Sequence, residues 1–496
     1  MTNHPEIEPP PVPGNDNTRD LRGRTVKGVL WTFAEMFGRY GVTYVVTIYL
    51  ARLLSPADYG LVGLATAFFA IAAAIIDGGF KTALVRKKDV TPADYNTVFY
   101  TNLALAFLMY AVIFAVAPHI AKFYGEPLLS PLTRLLGLTL IINAMTIVQN
   151  AVLQRDMRFG LLTLITAPAA VMSGTAAIFL AYNGFGVISL AVQMLLTSFI
   201  GMILYRRLVG WHPALEFSAR SFREFFGVGA RFSVASITRE IGNNMCVMFI
   251  GKIFGAHRLG YYSFSNKLIN LTANNLTSAV SQVSLASFSK IQDDTDRLLR
   301  GYKLALQGTA TVIFPLMALI AVMADPLVRL FLSEKWLPAV PYIRILCIQG
   351  ALAPVYAIGA NIIMIKNAGL YLKIECAAVL TLIAMLFSLV PIGIEAFLTG
   401  QALQTAIFIG VINLCNRRYF NCTLPQTVGL LAPVAVAAAG MGAAVYAGMT
   451  LFETHGSAIN LPQCAALLTG AFIVYCIGLW IFKVDEFMNI VRRIIK

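Results

Sequence analysis

The sequence predicts an all-α polytopic membrane protein of about fourteen transmembrane helices, and three observations carry that prediction. Of its 496 residues, 58% are hydrophobic and only 12% are charged, against roughly 25% charged in soluble domains. Apolar stretches of the length that spans a bilayer, about 20 residues, recur along the whole chain. The connections between them are short, so none can fold as a separate soluble domain.

The chain opens with "MTNHPEIEPPPVPGNDNT", acidic and proline-rich where a secretory signal would need a basic start and an apolar run. Residues 1–23 are therefore expected to form a disordered cytoplasmic tail. Spans are expected near 26–51, 59–85, 96–117, 132–153, 161–181, 184–205, 224–251, 260–287, 303–324, 339–365, 371–392, 396–415, 427–451 and 461–482. Six fall in an N-lobe, 24–210, and six in a C-lobe, 211–422. Residues 423–496 supply the last two spans and a cytoplasmic C-terminus.

Basic residues set the orientation, because cytoplasmic loops carry the excess of Lys and Arg. Of the 38 basic residues, 26 lie in the termini and at every second connection, and eight lie on the other side: Arg52, Lys122, Arg134, Lys252, Arg258, Arg329, Lys335 and Arg344. Both termini are expected to be cytoplasmic, and the formal charge of +14 is mainly a topology signal. A nucleic-acid surface would gather its cations on one face. The four remaining basic residues, Arg39, Arg231, Arg239 and Lys267, lie inside expected spans.

An internal repeat relates the two halves. Shifted by 200 residues, "IYLARLLSPADYGL" (Ile48 to Leu61) aligns with "MFIGKIFGAHRLGYY" (Met248 to Tyr262), so that Arg52 meets Lys252 and Gly60 meets Gly260. Further on, "PHIAKFYGE" resembles "PLVRLFLSE" at an offset of 208. Six helices per repeat is an even number, which makes the lobes parallel about a pseudo-twofold axis along the membrane normal. The last two spans are then an appendage, and "AAAGMGAA" (Ala437 to Ala444) has the small residues of close helix packing. The repeat also sets Arg39 against Arg239.

Charged side chains within a bilayer are costly and usually face a cavity or a partner. Glu35 and Arg39 are four apart on one helix face. Arg231, Ala235, Arg239 and Asn243 follow the same step, with Glu240 beside them in "SITREIGNN". Lys267, Asn270, Asn274, Ser278 and Ser281 form a polar stripe on the next span, and Asp77 adds an acid late in the second. Two arginines on equivalent helices would face one another across a central cleft and grip a phosphate with paired hydrogen bonds. The alternative is that pairs such as Glu35 with Arg39 only neutralise each other and lock helices together, with Arg231 and Lys267 snorkelling. The seven cysteines form no CxxC or Cys/His cluster and are expected to be small core residues. No histidine is assigned a role, no metal or cofactor is expected, and there is no GxxxxGK[ST] phosphate loop.

The stretches "LARLLSPADYGLVGLA", "GKIFGAHRLGYYSFSNKL" and "SFSKIQDDTDRL" resemble the bacterial polysaccharide transporter family, in its colanic-acid and succinoglycan exporter branch. That family sits in the multidrug/oligosaccharidyl-lipid/polysaccharide (MOP) superfamily, with its MATE-like fold. The resemblance runs from about Arg24 to the C-terminus. It implies a flippase of the bacterial inner membrane rather than an enzyme, moving undecaprenyl-diphosphate-linked oligosaccharide outward by alternating access for exopolysaccharide or O-antigen. A polysaccharide polymerase and a chain-length regulator are the implied partners. Arg39, Arg239, Lys267 and Arg231 are the positions able to serve as cationic cavity residues, with Asn243, Asn270, Asn274 and Ser278 as polar lining. The membrane potential is the expected driving force; the alternative is a proton or Na⁺ gradient acting on Glu35, Asp77 or Glu240. The competing reading is a cation-coupled multidrug or metabolite exporter of the same superfamily. A membrane-embedded polymerase or ligase would need a large outward catalytic loop, and the longest here, about 325–338, is short.

Overall fold

The computed structural model describes residues 41–482, apart from 82–83, 85–86, 88–89, 156–157, 421–422 and 455–460. Certain side chains within helices, those of 227–236 and 239 among them, also lie outside the description. In chain order the helices are α1 (Gly41–Leu53), α2 (Pro56–Asp77), α3 (Pro92–Tyr124), α4 (Leu129–Ala144), α5 (Ile147–Arg155), α6 (Phe159–Tyr182), α7 (Val187–Leu208) and α8 (Ala219–Ile269). They continue as α9 (Asn275–Lys290), α10 (Thr295–Val322), α11 (Val340–Lys366), α12 (Ala368–Leu389), α13 (Ile394–Phe420), α14 (Leu424–Thr454) and α15 (Leu461–Ile481).

Ten helices among the described residues are long and apolar enough to cross a membrane, or eleven if α4 and α5, bent by 47°, make one span. The other expected spans fall on α1, whose start lies outside the described residues, and on the polar run of α8 and α9. The connection expected between spans seven and eight is a single-residue kink between two helical runs. Within the range given for α8, one helical run ends and the next begins at Gly255, where φ is 76° and ψ 174°, a conformation glycine adopts without Cβ strain. One residue turns the chain where a loop is expected.

Two helix starts share one device. "SPADY" at α2 and "TPADY" at α3 each place a proline at N1 and a reciprocal capping box: Ser55 with Asp58, Thr91 with Asp94. Proline at N1 gives up an N–H that the helix would leave unpaired, and the box satisfies two others. Both helices end at a left-handed glycine, Gly78 and Gly125.

The helices α2 and α8 cross at close backbone contact. A Cβ on Gly60 would lie 1.8 Å from the Ala256 carbonyl oxygen, and one on Gly260 would lie 1.7 Å from that of Pro56. Backbones can approach this closely only where no side chain intervenes. Separately, α14 and α15 pack on α10 through Val434, Ala437, Met441 and Val445, and the Tyr475 hydroxyl donates to the Thr311 carbonyl at 2.8 Å. Gly442 and Gly478 admit Val322 and Ala437 at 3.3 and 3.0 Å from where a Cβ would stand, in keeping with the small-residue motif. Cys246, Cys347 and Cys464 are buried as expected, but Cys376 is exposed and is no core residue; Cys422 lies outside the described residues.

Candidate functional site: a sealed crossing above a polar stripe

The end of the bundle where α1 finishes and α2 begins is closed by an aromatic cluster. The segment 325–338, expected to be the longest outward connection, packs against the bundle: Glu334–Ala339 forms a 3₁₀ helix with Trp336 wholly buried. Its indole N–H donates to the Ala51 carbonyl at 2.7 Å, and the adjacent Lys335 ammonium donates to that of Arg52 at 2.8 Å. The Trp336 ring meets Tyr59, Phe264 and Tyr261 at centroid distances of 5.3, 4.5 and 6.0 Å. Such offset and edge contacts add to the burial of the rings themselves. Nearby, the Tyr124 hydroxyl donates to the Met248 carbonyl at 3.3 Å, and Lys252 lies over the Phe123 ring while donating to the Phe123 carbonyl. These hydrogen bonds and ring contacts join α1, α2 and α3 to α8 and the 334–339 turn, on the side where the Lys/Arg pattern sets Arg52, Lys252 and Lys335.

Immediately inside this seal lies Lys267. Its ammonium stands 5.9 Å from the Tyr59 ring centroid, and among the described residues no carboxylate is within salt-bridge distance. A half-buried cation so placed keeps its capacity for an external anion. The next residues depart from the expected α-helical stripe: Asn270–Asn274 forms a π-helical turn, a feature frequent at functional sites. The Asn274 side-chain amide donates to the side-chain carbonyl of Asn270, and the Tyr44 hydroxyl of α1 meets both the Thr272 hydroxyl and the Leu268 carbonyl. Further along, Asn361 of α11 donates to the Ser281 carbonyl and hydroxyl at 2.9 and 3.0 Å. Asn270 and Asn274 are thus brought together, about one helical turn after Lys267, and Ser278, beyond the π-helical turn, is exposed. Tyr44, Tyr59, Thr272 and Trp336 are not legible in the sequence as site residues, since nothing in the spacing of single aromatics sets them apart from core.

The remaining expected residues fare differently. Glu35 and Arg39 lie outside the described residues, as do the side chains of Arg231 and Arg239. Asn243 is exposed. Glu240 accepts a side-chain hydrogen bond from Asn244 of its own helix at 3.3 Å. Asp77 is not part of the Lys267 group, because it stands at the far end of α2, about 27 Å from Tyr59 at roughly 1.5 Å per residue. Its Oδ1 is buried with no hydrogen-bond partner among the described residues.

A family model described as polysaccharide biosynthesis protein matches residues 49–341. The lipopolysaccharide biosynthesis protein WzxC of Escherichia coli is 24% identical over 68% of each chain. The teichuronic acid biosynthesis protein TuaB of Bacillus subtilis is 26% identical, over 69% of this chain and 70% of its own. The succinoglycan biosynthesis transport protein ExoT of Rhizobium meliloti is 26% identical over 68% and 69%. Among solved structures, the lipid II flippase MurJ in an inward closed conformation superposes with a TM-score of 0.72, 14% identity, and coverage of 92% of this chain and 99% of its own. An inward-facing MATE transporter of the MOP superfamily superposes with a TM-score of 0.60 at 16% identity, over 79% and 94%.

Proposed function

The chain belongs to the polysaccharide biosynthesis protein family, and from that premise we propose that it is a flippase carrying undecaprenyl-diphosphate-linked oligosaccharide units from the cytoplasmic to the periplasmic leaflet. It works in the bacterial inner membrane with both termini cytoplasmic, feeding an exopolysaccharide or O-antigen polymerase and its chain-length regulator. The observation that supports this best is Lys267, a half-buried ammonium with no carboxylate beside it among the described residues, about one helical turn before the paired amides of Asn270 and Asn274. An ammonium suits a diphosphate, and amides and the Tyr44 hydroxyl suit sugar hydroxyls. Arg39, Arg239 and Arg231 complete the cationic lining, and the N-lobe (24–210) and C-lobe (211–422) rock about the α2–α8 crossing, with 423–496 appended.

In this reading the aromatic seal around Trp336 closes the periplasmic side, and transport requires Gly60 and Gly260 to part. The lipid diphosphate bears about two negative charges. With the interior negative, outward movement of each gains about 2.3 kcal/mol per 100 mV, so the membrane potential is sufficient as a driving force. A proton or Na⁺ bound at Asp77, Glu35 or Glu240 is the alternative coupling. The related reading, a cation-coupled multidrug exporter, draws on the shared MATE fold but leaves Lys267 without a task.

The test is flipping of the lipid-linked oligosaccharide in sealed proteoliposomes, with and without ionophores that collapse the potential and the cation gradients. Flipping by the wild type that falls when the potential alone is removed is the expected result. No flipping above protein-free vesicles overturns the reading.

A further inference from the structure

The connection from α7 to α8 is tied down at its inner side. The Ala214 N–H donates to Asn96 Oδ1 and the Ser218 N–H to Thr97 Oγ1, both at 3.0 Å, and Glu224 accepts from Lys87 at 3.0 Å. Ser221 and Phe225 turn inward and are buried. The segment is therefore held at the start of α3, and its outer face is a fixed surface.

That outer face is apolar and cationic at once. Leu215 is 97% exposed, Phe217 59% and Phe226 54%, and Phe217, Phe222 and Phe226 form a ladder with ring centroids 6.2 and 5.6 Å apart. Arg206 and Arg207 at the end of α7, and Arg220 and Arg223 at the start of α8, are all exposed. The last pair runs against the helix, since a helix N-terminus is its positive end and favours acids, yet the first turn of α8 holds none. Cations gathered there are favourable only opposite an anion. Within 206–226 the acids are Glu216 and Glu224, and Lys87 engages the second.

We propose that this face, Leu215 with the phenylalanine ladder and the four flanking arginines, docks on the anionic phospholipid headgroups of the adjoining leaflet. An amphipathic element with arginines around exposed Phe and Leu lies in the interfacial plane, its rings at the acyl boundary and its cations on phosphates. Each cation near a negative leaflet strengthens the attachment several-fold. The docking clamps the strap between α7 and α8 to the membrane surface. Only the naming of that leaflet as cytoplasmic rests on the orientation proposed above.

The test is amide hydrogen exchange of the full chain in nanodiscs of phosphatidylcholine alone and of phosphatidylcholine with phosphatidylglycerol. Exchange of the Phe222–Phe226 region is expected to be about tenfold slower with phosphatidylglycerol at low salt, and the difference should shrink at high salt. The quadruple variant Arg206→Gln, Arg207→Gln, Arg220→Gln, Arg223→Gln should lose the lipid dependence while α2 and α10 exchange as in the wild type. Equal exchange of the wild type in the two lipids overturns the proposal, as does a quadruple variant that keeps the full difference. Lost flipping with retained lipid dependence would sink the flippase reading and leave this surface standing.

Discussion

Gly60 and Gly260 exchange the same contact: each presses its backbone against the carbonyl of the residue four before the other, Ala256 and Pro56, at 1.8 and 1.7 Å from where a Cβ would stand. Both pairs of positions are 200 apart in the chain, and so are Gly63 and Ser263, where a Cβ on the glycine would lie 2.5 Å from the Ser263 hydroxyl. The offset that aligns the two halves as sequences thus also relates them in contact. A crossing of this kind admits no side chain at either glycine.

Gly60→Val and Gly260→Val are each expected to disfavour this closed packing by about 1–3 kcal/mol or more, as overpacking a fixed contact does. A cysteine at Ser263 should then react faster with a membrane-impermeant maleimide in either variant than in the background carrying Ser263→Cys alone. Unchanged labelling would show that the crossing does not limit access.

Trp336→Ala removes a fully buried indole, its ring contacts and its bond to Ala51. The expected loss of stability is about 3–5 kcal/mol. Trp336→Phe keeps most of the ring and loses mainly the hydrogen bond, about 1 kcal/mol. Unfolding followed by tryptophan-independent means, such as far-UV circular dichroism in detergent, separates the two; equal losses would deny the hydrogen bond and ring their separate parts.

Lys87 bridges Asp94 and Glu224, both at 3.0 Å. Its partial burial acts to lower the ammonium's pKa, but the hydrogen bonds and charges of Asp94 and Glu224 outweigh it and raise the value above the ordinary 10.5. A lysine whose folded pKa is raised stabilises fully below its unfolded value and loses that contribution as pH rises through the folded one. The difference in melting temperature between wild type and Lys87→Met should therefore be flat at neutral pH and shrink above about 10.5. A partly exposed pair of this kind contributes about 0.2–1 kcal/mol, so a large difference that ignores pH would point instead to packing on the Phe225 ring, whose centroid lies 5.0 Å from the ammonium.

How much of the fold and the site is legible in the sequence differs by element. Spans such as α3 and α6 are readable because a bilayer demands a long apolar run and nothing else in the chain resembles one. The break at Gly255 is not, because the stretch with Lys252, His257 and Arg258 looks like a loop whether or not the backbone stays helical. The packing of Trp336 against the bundle leaves no trace, since burial of a single indole has no period. The polar stripe from Lys267 is legible as spacing, but the π-helical turn at Asn270–Asn274 shifts the residues after it by one position, so Ser278 and Ser281 do not continue one straight face. Asp77 resembles the other intramembrane charges by type alone, and the length of α2 sets it apart from Lys267.

The central claim, that a cation inside the seal receives the lipid diphosphate, is tested most directly by flipping assays in proteoliposomes of Lys267→Gln and Lys267→Arg at matched incorporation. Loss of one charge-assisted contact to a phosphate, worth about 1.5–3 kcal/mol, predicts that Lys267→Gln falls by about tenfold or more while Lys267→Arg keeps a substantial part of the rate. Wild-type flipping by Lys267→Gln would contradict the account and move the anion site elsewhere.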